Sequence, residues 1–361
     1  MRFLAVCMAA LLLVACGQES TIEAPTATAT PMSAATAVPA VVFTPTPLPE
    51  YAQIPGIYLG RFHGTSSPST VLEEAIGKGA AISLYYSSWQ NGVSSGVFRT
   101  DRLTGRLSYI TWEYQSGAAT DLQAILEGEH DDHIDGWAAR IGDLEDQTIM
   151  LRWGHEMNGD WYPWSGVANG GGTLDGFGDP AVADGPERYV AAYRYIHERF
   201  AETGADNVLW VWCPNAPIAT MTAALGEWND AAHYYPGDAY VDWLCLDGYN
   251  WGSSTYGQTF NSRWSSFDEI FAESYQQLQA INDEKPMMIG EFASTEEGGD
   301  KAAWITATYQ TIAEDYPQIR AVTWFHINKE TDWRIDSSPE SLAAFKTAVS
   351  SNTWLDQWPY E

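Results

Sequence analysis

Of 361 residues, 45% are hydrophobic and only 18% charged, so most of the chain can fold around a large core and wholesale disorder is excluded. The formal net charge of −29, from 18 Lys+Arg against 47 Asp+Glu, repels phosphate backbones and anionic headgroups and excludes nucleic acid as a partner. A neutral ligand is unaffected by that charge, and 17 Trp with 19 Tyr exceed what a core of this size usually needs, which predicts aromatic surface platforms.

Met1-Arg2 and the apolar run from Phe3 to Val14 have the charged start and short greasy core of a secretory signal, too short to span a membrane as a mature helix. Leu13-Val14-Ala15-Cys16-Gly17 resembles a bacterial lipobox, which implies cleavage before Cys16 and lipid attachment to it; the alternative is a plain signal peptide with an incidental cysteine. Residues 1–15 are thus expected as a lipoprotein signal peptide. Residues 16–50, rich in Thr, Ala and Pro, cannot bury enough apolar surface to fold and read as a tether. Residues 51–361 form one folded domain, expected as a monomer outside the cytoplasmic membrane that meets the membrane only through the lipid. Of the four cysteines, Cys213 and Cys245 remain in this domain, either bridged or as thiols; their apolar surroundings favour neighbouring buried thiols.

Short apolar runs then alternate with segments of helical period, the pattern of a parallel sheet with helical crossovers. Eight such runs are Gly56–Leu59, Ala81–Tyr85, Leu107–Ile110, Thr148–Arg152, Val208–Trp212, Val241–Leu246, Pro286–Gly290 and Arg320–Phe325. After Pro186, the stripe Tyr189, Tyr193, Ile196 and Phe200 predicts a helix ending near Gly204, and Ser265-Ser266 opens another through Phe267, Ile270, Phe271, Leu278 and Ile281. Eight strands with helices between them fit a single (β/α)8 barrel; an open doubly wound sheet is the alternative. Polar and aromatic residues cluster just after the strand runs, where barrels keep their active sites, and this favours the barrel.

The fourth run continues into Arg152-Trp153-Gly154-His155-Glu156-Met157-Asn158-Gly159-Asp160-Trp161-Tyr162-Pro163-Trp164. A carboxylate among such aromatics is poorly explained by packing. Apolar surroundings disfavour its charged form and raise its pKa, as a general acid near neutrality requires. The seventh run ends in Met288-Ile289-Gly290-Glu291-Phe292, where the glycine lets another group approach the backbone closely. Glu156 and Glu291, each just past a barrel strand, aim at one mouth and supply the carboxylate pair of glycoside hydrolysis, one protonating the leaving oxygen while the other attacks or activates water.

The motifs His155-Glu156-Met157-Asn158-Gly159 with Trp161, Asp247-Gly248-Tyr249-Asn250 and Gly290-Glu291 resemble glycoside hydrolase family 26 over essentially the whole domain. The resemblance implies a (β/α)8 barrel, retention of anomeric configuration, Glu156 as acid/base and Glu291 as nucleophile, with no cofactor and no metal. It also implies that His155 contacts the sugar beside the scissile bond, Trp161 shapes that subsite, Tyr249 hydrogen-bonds the nucleophile and Trp324 forms a stacking floor. Members cut β-1,4-mannan, mixed-linkage β-1,3-1,4-glucan or β-1,3-xylan, and a plant β-glycan, mannan first, is the implied substrate.

Rival chemistries fit less well. His155-Glu156 lacks the second histidine of a zinc-binding H-E-x-x-H helix, because Gly159 stands there, and His130-Asp131-Asp132-His133 reads as a solvated turn or helix start. Gly92-Val93-Ser94-Ser95-Gly96 matches G-x-S-x-G, but Trp89-Gln90-Asn91 separates it from the strand and no helical period follows, so a loop is expected. A non-catalytic carbohydrate-binding barrel is disfavoured because both glutamates are present. The Gly-rich stretch from Gly166 to Gly185 is either a lid or a subsite wall.

Overall fold

The computed structural model describes residues 54–360, apart from 63, 65–69, 90–91, 93–94, 114–121 and 145–146. The expected signal peptide, Cys16 and the tether lie outside the described residues. No helix among those described is long and apolar enough to cross a membrane.

Eight parallel strands close on themselves, β1 (Ile57–Phe62), β2 (Ile82–Ser88), β3 (Leu107–Glu113), β4 (Ile149–Trp153), β5 (Val208–Trp212), β6 (Trp243–Asn250), β7 (Met287–Ser294) and β8 (Ile319–Phe325), in sequence order with β1 pairing both β2 and β8. The ring is a (β/α)8 barrel. A two-residue strand β9 (Trp354–Leu355) lies parallel to the start of β1. Helices α1 (Thr70–Ile76), α2 (Ser95–Leu103), α3 (Leu122–Leu126), α4 (Asp131–Gly142), α5 (Asp184–Thr203), α6 (Ile218–Leu225), α7 (Phe267–Ile281), α8 (Lys301–Asp315) and α9 (Pro339–Ala348) fill the crossovers and follow the last barrel strand.

The helix boundaries follow local chemistry. α5 buries Tyr189, Tyr193, Ile196 and Phe200 and stops where Gly204 takes a left-handed φ of 83°. α7 opens with a capping box: the Ser266 side chain accepts from the Glu269 N–H and the Glu269 carboxylate accepts from the Ser266 N–H. His130-Asp131-Asp132-His133 is the start of α4, as expected. A helix does follow the G-x-S-x-G segment, since α2 begins at Ser95; its period went unseen because only Val97, Phe98 and Leu103 are apolar in nine residues. Ser94 lies outside the described residues.

Alternation along each strand divides the core in two. Inside the ring pack Tyr58, Leu84, Tyr109, Met150, Val211 and Met288. Between ring and helices lies a second, larger layer that absorbs the tryptophans: Trp112, Trp137, Trp153, Trp212 and Trp324 are all buried, with Trp112 stacked between Trp89 and Trp137 at 4.5 and 4.4 Å. The surplus of Trp is therefore mostly core, and Trp161 is the strongly exposed tryptophan among the described residues.

Sequence reading favoured thiols at Cys213 and Cys245, and the structure corrects it: the two form a disulfide that ties the end of β5 to β6 inside the barrel. Apolar flanks describe the backs of these strands. The sulfurs share the interior face, which neighbouring strands bring together.

Candidate active site

The parallel strands end at one rim, and the later residues of β2, β3, β4, β6 and β7 carry Tyr86, Glu113, Arg152, Asp247 with Tyr249, and Glu291. β4 ends at Trp153, after which the backbone turns sharply: Gly154 and Glu156 have φ of 62° and 52°. A left-handed glutamate is costly and persists only where its surroundings hold it. Here the Glu156 N–H donates to the Cys213 carbonyl at 2.7 Å and its carbonyl accepts from the Gly159 N–H at 2.9 Å. Glu291 reaches the rim by another device. The β6–β7 register pairs Leu246 with Ile289 but Asp247 with Glu291, so Gly290 is an extra residue in a bulge that re-aims the next side chain. A Cβ on Gly290 would sit 2.4 Å from the Cys245 sulfur and 2.8 Å from Asp247 Oδ1, so the close approach that the glycine foretold is real.

The two carboxyl groups sit in contrasting settings. Glu156 is buried and, among the described residues, its carboxyl group receives one hydrogen bond, from the Trp161 indole N–H at 2.8 Å. Burial, then the charge of Glu291, pushes its pKa up to about 8, while Trp161 and Arg152 pull the other way. Glu291 receives three donors: Arg152 and the Tyr86 hydroxyl on Oε1, and the Tyr249 hydroxyl at 2.5 Å on Oε2. Burial raises both tyrosines well above their ordinary range, so they stay protonated and able to donate. The wholly buried Arg152 guanidinium also pairs with Asp247 at 2.5 Å and donates to Thr111 at 3.0 Å. Burial works against its charge, and Asp247 with Tyr109 and Glu291 outweighs it.

His155 lies between these groups and the Trp164 ring. Its Nε2 meets the Tyr162 hydroxyl at 3.1 Å, its carbonyl accepts from the Trp164 indole at 2.6 Å, and burial, then Arg152, holds its pKa well below the ordinary histidine range. Glu113, at the end of β3, faces the Tyr162 hydroxyl at 3.4 Å. Trp161 lies over Gly159, where a Cβ would stand 2.5 Å from the indole.

Thus Glu156, Glu291, His155, Trp161 and Tyr249 converge on one mouth. Trp324 does not. It points outward, wholly buried against Phe292, Trp304 and Phe345, with its indole N–H on the Trp333 carbonyl at 2.8 Å. Its strand neighbour Phe325 faces the cleft instead, among Phe62, Tyr86 and Tyr249. Sequence reading missed Arg152, Asp247, Tyr86 and Glu113 as site residues. The available signal was the charge itself, because an arginine or aspartate inside an apolar strand must have a partner.

His155, Asp247 and Glu291 approach closely enough to suggest a metal site. The Arg152 guanidinium already bridges Asp247 and Glu291 and takes a cation's place there. Cys213 and Cys245, beside Asp247, are bonded to each other and offer no thiolate.

The Gly166–Gly185 stretch is tied down by its own contacts and by the start of α5. Asp184 accepts from Thr173 Oγ1 at 2.5 Å and the Gly176 N–H at 2.9 Å, Glu187 accepts from the Asp179 N–H at 3.0 Å, and Arg188 lies over Phe177.

Paired carboxylates at the mouth of a (β/α)8 barrel are the arrangement on which barrel glycosidases are built. The sequence pattern of glycosyl hydrolase family 26 matches residues 74–310, and the chain belongs to this family. Endoglucanase H of Acetivibrio thermocellus is 40% identical over 267 residues, 74% of this chain and 26% of that protein. A mannan endo-1,4-beta-mannosidase of Bacillus subtilis is 29% identical over 184 residues, 49% of this chain and 39% of that protein. The chain thus spans well under half the length of these relatives. The catalytic domain of an endo-beta-1,4-mannanase from Bacillus sp. JAMB-750 shares the fold with a TM-score of 0.62 at 19% identity, over 83% of this chain and 87% of that one.

Proposed function

We propose that the chain is an endo-acting, retaining β-glycanase that cuts β-1,4-mannan or a related plant β-glycan by double displacement. The observation that carries this reading is the contrast between the two carboxyl groups: Glu156 is kept protonated to about pH 8, and three donors hold Glu291.

In the first step Glu156 gives its proton to the glycosidic oxygen as a Glu291 oxygen bonds to the anomeric carbon; the leaving chain departs as an alcohol and a glycosyl ester remains. Esterification removes the Glu291 charge, which after burial is the larger of the forces raising the Glu156 pKa, ahead of Glu113, so Glu156 falls toward the ordinary carboxylate range. It can then take a proton from water. The water oxygen bonds to the anomeric carbon, the ester bond breaks, and both carboxyl groups return to their starting states. Arg152, Tyr86 and Tyr249 hold the nucleophile in line, His155 remains an uncharged sugar contact, and Trp161 both walls the subsite and anchors the acid.

A second reading, mixed-linkage β-1,3-1,4-glucan, is favoured by one observation: the relative that matches at 40% identity is named an endoglucanase, whereas the named mannosidases match at 24–29%. The test is reducing-sugar release by the full chain from β-mannan, mixed-linkage β-glucan and β-1,3-xylan, beside Glu156→Ala and Glu291→Ala. Release from one glycan, abolished by both substitutions, supports the reading and fixes the substrate. No release from any glycan by a folded chain sinks it.

The signal-like start and Leu13-Val14-Ala15-Cys16 support a lipid anchor on the outer side of the membrane. Equal membrane retention of Cys16→Ala would remove that part of the reading.

A further inference from the structure

Residues 251–265, which follow β6, form a loop whose tip exposes two large rings, Tyr256 and Phe260, each at 50%. Soluble proteins scatter single apolar residues over their surfaces, but these two are joined through a third ring. Trp251 meets Tyr256 at 5.2 Å and Phe260 at 5.4 Å, and the pair lie 6.0 Å apart. Trp251 in turn contacts Tyr249 at 5.7 Å, whose hydroxyl holds Glu291. An unbroken series of aromatic rings therefore runs from the nucleophile to solvent.

The loop is also rigidly fastened. Asn250 Oδ1 accepts from the Ser265 N–H at 2.9 Å, the Ser262 hydroxyl donates to the Gly252 carbonyl at 2.7 Å, and the Ser253 N–H donates to the Glu297 carbonyl at 2.9 Å. Trp251 rests edge-on against the buried Trp333 at 4.7 Å. Rings held this way lose little conformational freedom when something stacks on them.

We propose that Tyr256 and Phe260, seated on Trp251, are a distal subsite for the same β-glycan, stacking a sugar ring remote from the bond being cut. The proposal rests on the glycanase reading and goes further by assigning a site on which substrate length is read. The occupant follows from continuity with the cleft and from chemistry: pyranose C–H faces match aromatic faces, while sugar hydroxyls stay wet above an exposed ring. Remote binding of this kind raises the hold on long chains over short ones.

The test uses the full chain with Tyr256→Ala, Phe260→Ala and the double substitution, with Val71→Ala, exposed on α1, as control. Binding is read first, in the Glu291→Ala background, by retardation in gels containing β-mannan or mixed-linkage β-glucan. Each ring removed is expected to weaken retention about 2- to 10-fold, with Tyr256→Phe restoring it. In the active background, the loss of kcat/KM should grow with substrate length, from about twofold on a trisaccharide to about tenfold on polymer. Melting temperatures within about 2 °C of the parent confirm folding.

Undiminished retention, equal losses on all lengths, or concentration-dependent self-association abolished by the substitutions would each overturn the subsite. A chain that releases no sugar yet loses gel retention with Tyr256 and Phe260 keeps the subsite and discards the hydrolase reading. An active chain indifferent to these rings does the reverse.

Discussion

Trp161 donates its indole N–H to Glu156 Oε2 across 2.8 Å while nearly half of its surface (47%) faces solvent. One side chain thus serves as cleft wall and as clamp on a buried acid. The bond favours the charged carboxylate and opposes the burial that raises the Glu156 pKa. Trp161→Phe keeps the ring and removes the bond, so the Glu156 pKa should rise further. In a pH profile of kcat/KM the alkaline limb, expected near pH 8, should move upward. The maximum should fall between about 10- and 100-fold, because the acid is no longer held in place. A limb that stays put or moves down would show that Glu156 is not the titrating acid.

Glu156 should also make stability depend on pH. Its folded pKa, about 8, lies above that of an unfolded glutamate, so the folded chain binds this proton more tightly. The favourable contribution is fully present below about pH 4, near the unfolded value, and is lost as pH rises through about 8. Glu156→Gln removes the dependence. Relative to the parent, it should gain up to a few kcal/mol above pH 8 and progressively less toward pH 4, read from urea midpoints across that range. An equal difference at every pH would contradict the raised pKa.

Arg152 spans Asp247 and Glu291 from the floor of the site with no exposure of its own. Arg152→Met leaves two buried carboxylates without their cation and should cost about 3 to 5 kcal/mol in denaturant unfolding. Arg152→Lys keeps the charge but presents one ammonium instead of a planar fork that reaches both carboxylates. It should recover part of the stability while kcat stays about 100-fold down. Recovery of both together would show that charge alone matters.

The barrel was legible because strand and helix impose different periods on apolar residues, and all eight runs became barrel strands. The two glutamates were legible because they follow those runs. What escaped depended on contacts across the ring. The backbone of Glu156, with φ at 52°, and the bulge at Gly290 come from how neighbouring strands pair, which no single run encodes. Tyr86 lies one residue beyond the run read as the second strand. Asp247 stands inside a family motif, but nothing along the chain shows that it pairs with Arg152 across the ring. The disulfide needed the knowledge that Cys213 and Cys245 share the inner face of β5 and β6.

That disulfide closes a separation of 32 residues, and restricting such a loop in the unfolded chain is worth about 3 to 4 kcal/mol. Replacing both cysteines with alanine should lower stability by that order, measured in urea with and without reductant. Reductant should weaken the parent and leave the double variant unchanged. Thiol titration of the unreduced, unfolded parent should find neither cysteine free.

Trp324 and Phe325 separate core from cleft within one step of β8. Successive side chains on a strand face opposite ways, so an aromatic pair at a strand end offers two candidates for the floor, of which the family resemblance implied Trp324. The contacts decide otherwise: Trp324 is enclosed by Phe292, Trp304 and Phe345, and Phe325 stacks on Phe62 at 4.9 Å. Trp324→Leu should open a cavity and leave the Trp333 carbonyl without its donor, costing about 2 to 4 kcal/mol with KM within about twofold of the parent. Phe325→Leu should cost less stability and raise KM or lower kcat, since it removes a ring beside Tyr249 and Tyr86, both bound to Glu291. Urea unfolding and steady-state kinetics on the same two variants read both effects. If Trp324→Leu impaired turnover while Phe325→Leu did not, the outward placement of Trp324 would be wrong and the stacking floor would belong to it after all.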